Sequence, residues 1–94
     1  ALIVSSDIIN NNSDYSDFLA IPLTSKIRND PLNKIIQKED FSSLSLKVEK
    51  ATVICSKIMM IQKDLIIKKL DSLQTNTFQE VKLKMATALG INNS

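Results

Sequence analysis

Two hydroxyl groups and an ammonium group follow one another at Thr24-Ser25-Lys26, directly after the apolar segment 18–23. Hydroxyl donors next to a positive charge at the end of a strand can bind a phosphate group. The alternative is that the hydroxyls only satisfy backbone groups where the strand ends, as serine and threonine side chains often do. The residues by themselves leave both interpretations open.

The familiar catalytic templates are absent from the sequence. The chain has no histidine and one cysteine, which excludes the usual zinc sites, an intramolecular disulfide and the Cys/His and Ser/His nucleophile pairs. Gly90 is the only glycine, which excludes a P-loop and a dinucleotide-binding fingerprint. The acidic residues lack the spacing of metal ligands. We therefore expect neither a metal nor a cofactor, and a reducing, cytosolic setting.

Three other features have a structural explanation that we prefer to a catalytic one. The aspartates of residues 1–24 lie in or beside an Asn/Ser-rich stretch and are expected to be solvated turn formers. Cys55 has no base to activate it and is expected to be an ordinary buried thiol. The pair Met59-Met60 is expected to fill a core or an interface.

Length and charge limit the possible functions. Ninety-four residues, 44% of them hydrophobic, suffice for one small core and exclude a multidomain enzyme. No apolar run approaches the roughly 18 to 20 residues that span a bilayer, so no transmembrane helix is expected. The net charge of +2 is small for a nucleic-acid-binding chain, but residues 1–24 carry −3 and residues 25–94 therefore +5. Arg28 is the only arginine among the 12 basic residues.

The elements that must position these residues are mostly short strands. Apolar runs and β-branched residues predict strands at 1–4, 18–24, 32–37 and 47–62, the last being one strand or two joined by a bend. Loops are predicted at 10–14 and 25–31, and a helical turn at 38–41. Residues 64–73 fit a short helix and a strand equally well. Pro22 must lie where no backbone donor is needed.

The C-terminal part changes to a helical period. Apolar residues form one stripe, namely Phe78, Val81, Met85, Ala88 and Leu89. Thr77 and Glu80 fit a capping box, although Thr75 could cap a slightly longer helix, and Gly90 suits the position after the helix. The expected fold is mainly β with a C-terminal α-helix, arranged as a small barrel with the helix packed across it.

Several segments, in the same order along the chain, resemble the MazF/PemK/Kid family of toxin ribonucleases. Residues 1–7 resemble an apolar family strand that ends in Asn-Asp or similar, and residues 18–25 resemble the family strand that ends P-[ILV]-T-S. Residues 53–63 are similar to the strand with a D/E-Q or D-K pair followed by I-x-T-[ILV]-x-K, and residues 65–90 to the family's C-terminus. The resemblance covers essentially the whole chain.

The resemblance implies an SH3-like barrel of the MazF/PemK/CcdB type and metal-independent cleavage of single-stranded RNA, in which the 2′-OH attacks the adjacent phosphate. It implies that Thr24 is the catalytic threonine, whose hydroxyl binds the scissile phosphate and stabilises its developing charge. Ser25, Lys26, Ser56 and Lys57 would contact the RNA. The implied state is a homodimer with a cognate antitoxin as partner, in the bacterial cytoplasm and away from membranes.

The sequence also departs from the family pattern. The family's catalytic arginine lies in an Arg-Pro pair immediately before the strand that begins this chain, preceded by a first strand and a glycine-rich substrate loop. We therefore expect residues 1–94 to be a single domain that lacks these elements, to be part of a longer protein, and to be inactive alone. Arg28 lies in a different loop and is not assigned the arginine's role.

Two further substitutions bear on function. Ser56 stands where the family often has a carboxylate, and Lys57 where it often has glutamine, so the base preference is expected to differ. Lys57 either holds a phosphate or is an ordinary solvated lysine. The alternative function, from a different class, is a catalytically inactive barrel that binds or inhibits a protein target.

Overall fold

The computed structural model describes residues 1–41, 49–65 and 72–91. The elements are β1 (Leu2–Ile3), α1 (Asp7–Asn10), β2 (Asp17–Ile21), β3 (Leu23–Thr24), β4 (Asn33–Gln37), β5 (Lys50–Ile54), β6 (Met59–Gln62) and α2 (Thr75–Ala88). Single 3₁₀ turns follow β4 at Lys38–Asp40 and β6 at Lys63–Leu65. The fold is mainly β with one long C-terminal helix, which confirms the predicted class.

The strands form two antiparallel sheets, with the orders β1-β2-β6 and β3-β5-β4. The chain changes sheet at Pro22, between β2 and β3, where the missing N–H costs no ladder bond. The Pro22 carbonyl accepts the N–H of Ile54 at 3.1 Å. Among the described residues the two sheets do not close into one barrel, although the SH3-like description is close.

The second change of sheet runs from β5 to β6 through residues 55–58. For the described residues 49–62, the sequence alternative of two strands joined by a bend is therefore correct. The single strand predicted at 18–24 is wrong, because Pro22 divides it into β2 and β3, which lie in different sheets. The predicted strand end near Thr24, the strand at 32–37 and the helical turn after it are confirmed. For residues 64–73 the sequence fitted a short helix and a strand equally well, and most of this range lies outside the described residues. Within it, Leu73 forms an isolated antiparallel bridge with Phe41.

The hydrophobic core lies between the sheets and α2. Its buried members are Ile21, Ile36, Phe41, Val53, Cys55 and Val81. Helix α2 contributes Val81 at its centre, and Phe78 and Met85 pack against the same cluster. Leu89 is 61% exposed, so its predicted place in the buried stripe is wrong, because the helix ends at Ala88 and Leu89 is its C-cap.

The two ends of α2 differ in how well the sequence predicted them. Gly90 has a φ of 76° and its N–H bonds the carbonyl of Thr87 at 3.1 Å, while the N–H of Ile91 bonds Ala86 at 2.9 Å. This is a Schellman motif, and it confirms Gly90 as the terminating residue. The predicted capping box is wrong, since the helix begins at Thr75 after the N-cap Gln74.

Thr77 lies within the first turn of α2, where it is buried and has a different partner. Its hydroxyl donates to Oδ1 of Asp40 at 3.0 Å. The other carboxylate oxygen of Asp40 accepts the N–H of Gln37 at 2.8 Å, and the Asp40 carbonyl accepts the N–H of Gln74 at 2.8 Å. One aspartate thus joins the end of β4 to the start of α2.

A second polar link joins the end of β6 to helix α1 and the loop after it. The ammonium of Lys63 donates to the carbonyls of Ile9 and Asn12, the latter at 3.1 Å, and lies 5.3 Å from the ring centroid of Phe18. A cation at the C-terminal end of α1 is favourable for the helix dipole. Lys63 therefore fixes the 10–14 loop, in which Asn12 Oδ1 also accepts the N–H of Asp14 at 2.9 Å.

No helix in the parts of the chain that the structure describes is long and apolar enough to cross a membrane. Within the same ranges, no three residues of the types His, Cys, Asp and Glu converge as a metal-ion site would require. Asp7 and Asp14 are exposed, Asp7 as the first residue of α1 and Asp14 in the turn that follows the helix. Asp17 is half-buried and begins β2, so the prediction of a solvated turn former is wrong for this residue.

We predict that Asp40→Ala lowers the free energy of unfolding by about 1 to 3 kcal/mol, because it leaves the Thr77 hydroxyl and the Gln37 N–H without their charged acceptor. Urea denaturation measures this loss. Glu39→Ala, an exposed carboxylate in the same 3₁₀ turn, is the matched control. Equal denaturation midpoints for the two variants would contradict a structural role for Asp40.

Candidate functional site

Thr24 ends β3 and lies opposite Thr52 of β5. Its side chain is half-buried, and its Oγ1 accepts the N–H of Lys26 at 3.2 Å. The hydroxyl therefore satisfies a backbone group at the strand end, as the second of the two interpretations of Thr24-Ser25-Lys26 predicted. Because this bond uses only a lone pair, the hydroxyl hydrogen is still available to donate to an outside acceptor such as a phosphate oxygen.

Ser25 and Lys26 follow Thr24 in the turn, and both are exposed. The structure thus brings two hydroxyls and one ammonium together at one strand end. Thr24 and Ser25 also line a cavity of about 190 Å³, whose wall is otherwise largely apolar and includes Leu23, Ile36 and Phe41. A ligand at this edge would meet polar donors on one side and an apolar surface on the other.

Thr52 holds this edge in place, and the sequence analysis did not single it out. The residue is fully buried, and its hydroxyl donates to the carbonyl of Lys26 at 2.8 Å and accepts the N–H of Arg28 at 3.1 Å. One hydroxyl therefore holds two points of the loop that follows Thr24. The available signal was a threonine inside the apolar run 51–54.

Ser56 and Lys57 lie in the turn after β5, and both are exposed. The turn is closed by a bond from the Lys57 N–H to the Ile54 carbonyl at 3.3 Å. In the antiparallel pair of β3 and β5, Thr24 lies opposite Thr52, whereas Ile54 bonds Pro22. Ser56 and Lys57 therefore lie beyond the opposite end of this pair, and the structure does not place them beside Thr24.

Arg28 is exposed and lines a second, open cleft. The described residues that line the cavity at Thr24 do not include it. Its backbone N–H donates to the hydroxyl of Thr52, and this bond fixes the position of the Arg28 backbone beside β5.

Cys55 is a core residue with no exposed surface. Burial raises the pKa of its thiol, and the positive charges of Lys84 and Lys34 oppose this effect only in part. The thiol is therefore protonated at neutral pH, as expected of an ordinary buried cysteine rather than of a nucleophile.

Comparison with known proteins gives a consistent result for the whole chain. The family of PemK-like, MazF-like toxins of type II toxin-antitoxin systems matches residues 1–89. A solved mycobacterial endoribonuclease in complex with its cognate antitoxin is 26% identical, with a TM-score of 0.81, over 99% of this chain and 82% of that chain. The search of curated proteins found no significant match.

Two further solved structures share the fold. A mycobacterial endoribonuclease is also 26% identical, with a TM-score of 0.81, over 99% of this chain and 81% of that chain. The Mycobacterium tuberculosis toxin MazF-mt6 is 11% identical, with a TM-score of 0.77, over 97% of this chain and 85% of that chain. The arrangement of sheets and helix is thus retained at very low sequence identity.

We predict that Thr52→Val destabilises the protein by about 1 to 3 kcal/mol, although the side chain keeps nearly the same shape. The substitution leaves the Lys26 carbonyl and the Arg28 N–H without their partner. Thr52→Ser, which keeps the hydroxyl, is the control. Hydrogen exchange should show faster exchange at the Arg28 amide in Thr52→Val only, and unchanged exchange would contradict the anchoring role.

We also predict that Cys55 makes the protein less stable at alkaline pH. Since the folded thiol has a raised pKa, the unfolded chain loses this proton first as the pH increases. The stabilisation is complete below the pKa of the unfolded thiol and is lost as the pH rises through the folded pKa. Urea denaturation of wild type and Cys55→Ala at about pH 7 and pH 9.5 measures the effect. An identical pH dependence for both proteins would contradict it.

Proposed function

The chain belongs to the family of PemK-like, MazF-like toxins of type II toxin-antitoxin systems, and on that premise we propose that the complete protein is a metal-independent endoribonuclease that cleaves single-stranded mRNA. The observation that carries the proposal is the likeness to a solved endoribonuclease over 99% of the chain, at 26% identity and a TM-score of 0.81. The polar edge at Thr24, Ser25 and Lys26 supplies hydroxyl and ammonium donors for the phosphate groups of the RNA.

In the proposed reaction the 2′-hydroxyl of the RNA loses its proton to solvent as its oxygen forms a bond to the adjacent phosphorus. The bond from phosphorus to the 5′-oxygen breaks, and the leaving 5′-oxygen takes up a proton from solvent. The products end in a 2′,3′-cyclic phosphate and a 5′-hydroxyl. Negative charge grows on the non-bridging phosphate oxygens during the attack. The free hydrogen of the Thr24 hydroxyl donates to one of these oxygens and stabilises that charge. The acceptor bond from the Lys26 N–H orients the hydroxyl for this role.

The remaining proposed RNA contacts fall into two groups. Ser25 and Lys26 bind backbone positions next to the scissile phosphate, since both are exposed beside Thr24. Ser56 and Lys57 contact nucleotides further along the strand, because their turn lies beyond the other end of the pair formed by β3 and β5. A site built in this way reads several nucleotides rather than one.

The proposal also includes a catalytic arginine, a first strand and a substrate loop encoded upstream of Ala1. Arg28, the only arginine of the chain, is not given this role, because it lines a cleft separate from the cavity at Thr24. By this proposal, the 94 residues contain the catalytic Thr24 but not the arginine that acts with it. By this proposal the fragment folds as one domain but does not cleave RNA.

We propose that the protein acts as a homodimer that a cognate antitoxin inhibits in the bacterial cytoplasm. The exposed apolar side chains of Met60, Leu83 and Leu89, which are 68%, 53% and 61% exposed, support an interface. The similar mycobacterial endoribonuclease was solved with its cognate antitoxin. A sedimentation velocity measurement at micromolar concentration tests the dimer, and a monomer would contradict it.

The second candidate is a catalytically inactive barrel that binds a protein target. The position of Arg28 away from Thr24 favours it, together with Ser56 in place of a carboxylate. The sequence encoded before Ala1 distinguishes the two candidates. An Arg-Pro pair after a glycine-rich loop favours the nuclease, and their absence from the gene favours the binding protein.

We predict that Thr24→Ala in the complete protein removes most RNA cleavage while melting within a few degrees of wild type. Its loss of stability is small because the hydroxyl accepts one exposed backbone bond, worth no more than about 1 kcal/mol. Thr24→Ser, which keeps a hydroxyl, is the matched control and should retain cleavage. The assay uses single-stranded RNA in EDTA and identifies the 2′,3′-cyclic phosphate ends.

Two results would contradict the proposal in different ways. No cleavage by a folded, antitoxin-free preparation of the complete wild-type protein would exclude the ribonuclease function. Normal cleavage by Thr24→Ala would keep the function and remove Thr24 from the catalytic site.

A further inference from the structure

An open cleft of about 580 Å³ lies between the loop after β3 and helix α2, and we call it the basic cleft. Three cationic side chains line it, those of Arg28, Lys34 and Lys84. One carboxylate, that of Asp30, lines it too. Among these lining groups the positive charge is therefore in excess.

The charges of the basic cleft are compensated unequally. Lys34 forms an ion pair with Glu80 of α2. The ammonium of Lys84 donates to the neutral carbonyl of Pro31 at 2.9 Å and keeps its full charge. The guanidinium of Arg28 has no ion-pair partner within residues 1–41, 49–65 and 72–91. Arg28 and Lys84 therefore carry the charge available to an outside anion.

The walls of the basic cleft are held in place by bonds within the loop. The Arg28 N–H is bound to the buried hydroxyl of Thr52, and the Arg28 carbonyl accepts the side-chain amide of Asn33 at 3.3 Å. Asp30 Oδ1 accepts the N–H of Leu32 at 2.8 Å, which commits one oxygen of the only lining carboxylate. The cleft is thus formed before any ligand arrives, which lowers the cost of binding.

The same loop connects the basic cleft to both groups of candidate RNA-binding residues. It leaves β3 at Thr24, crosses β5 at Thr52 and enters β4 at Asn33, opposite Ile54. Beside this pair, the carbonyl of Leu32, the last residue of the loop, accepts the N–H of Cys55, which directly precedes Ser56. Arg28 is four positions after Thr24, so their Cα atoms are at most about 14 Å apart. An extended single strand covers this distance within a few nucleotides.

We infer that the basic cleft binds a backbone phosphate of the same RNA strand whose scissile phosphate lies at Thr24, a few nucleotides away. This inference rests on the proposed function. The planar guanidinium of Arg28 donates two parallel hydrogen bonds to a phosphate, and Lys84 adds a point charge. The binding is independent of base sequence, since it involves only the backbone.

The composition of the basic cleft favours RNA over a folding antitoxin segment. Pro31 and Ile35 are its only apolar lining residues among those described. A disordered protein segment that folds on binding relies on buried apolar side chains, and most of the residues that line this cleft are charged or polar instead. A phosphate needs cationic donors on an accessible surface, and those are present.

The test measures binding of 2′-O-methylated single-stranded RNA, which lacks the attacking hydroxyl, to the complete protein. Oligonucleotides of mixed sequence, about three and about nine nucleotides long, are compared over a range of salt concentrations. We expect Arg28→Gln and Lys84→Gln each to weaken binding of the longer RNA several-fold. A plot of the logarithm of the binding constant against the logarithm of the salt concentration has a negative slope. Each substitution should reduce the magnitude of this slope by about 0.7, the value for one phosphate contact on a single strand.

Lys82→Gln is the matched control, since it removes the same charge from the same helix while its ammonium lies 5.1 Å from the Phe78 ring centroid. It should bind both RNAs as wild type does. Wild-type binding and slope in both cleft variants would overturn the inference while leaving the proposed function intact. Variants that bind RNA normally but lose antitoxin would overturn it in favour of a protein-docking surface. A wild-type protein that neither binds nor cleaves RNA would overturn both proposals.

Discussion

The missing backbone donor of Pro22 determines where the candidate site lies. A proline cannot donate to a sheet ladder, so β2 ends before it and β3 begins after it, in the other sheet. The Pro22 carbonyl still accepts the N–H of Ile54, which sets the register of β3 on β5. Thr24 then falls at the free end of a strand of only two residues, where its hydroxyl is close to solvent and its backbone is still paired.

A second constraint is the small size of the core, and the buried hydroxyl groups compensate for it. A chain of 94 residues buries a limited fraction of its surface, so its loops receive little hydrophobic packing. Among the described residues, three hydroxyl-bearing residues are buried, Ser5, Thr52 and Thr77. Each bonds a segment distant in sequence: Ser5 bonds the N–H of Leu19 at 3.2 Å, and the others bond the loop after β3 and Asp40. Directional bonds thus fix segments that an apolar core of this size leaves unsupported.

The sequence predicts those parts of the structure that depend on local pattern. The strand at 32–37, the helical turn after it and the Gly90 terminus follow from periodicity and from backbone preferences, and they are seen. The single strand predicted at 18–24 is not seen, because Pro22 divides it between two sheets. The capping box was wrong because Thr77 has a stronger partner in Asp40, which no pattern along the chain reveals. The sequence analysis did not single out Thr52 either, because its partners Lys26 and Arg28 are distant from it in the chain. The separation of Ser56 and Lys57 from Thr24 likewise depends on the pairing of β3 with β5, a contact between distant segments.

Charge placement, rather than total charge, decides what this surface can bind. With a net charge of only +2, the chain attracts nucleic acid weakly at long range. The first 24 residues carry −3, so the cations are concentrated in the rest of the chain. The fold collects some of them around one loop, where Lys26 and Arg28 lie on either side of the Thr52 anchor and Lys84 reaches the loop from α2. Contacts made by so few groups depend on short distances and fixed geometry, because screening removes most of their effect beyond roughly 8 to 10 Å. The buried hydroxyl of Thr52 therefore supports the proposed binding by fixing the loop that carries Lys26 and Arg28.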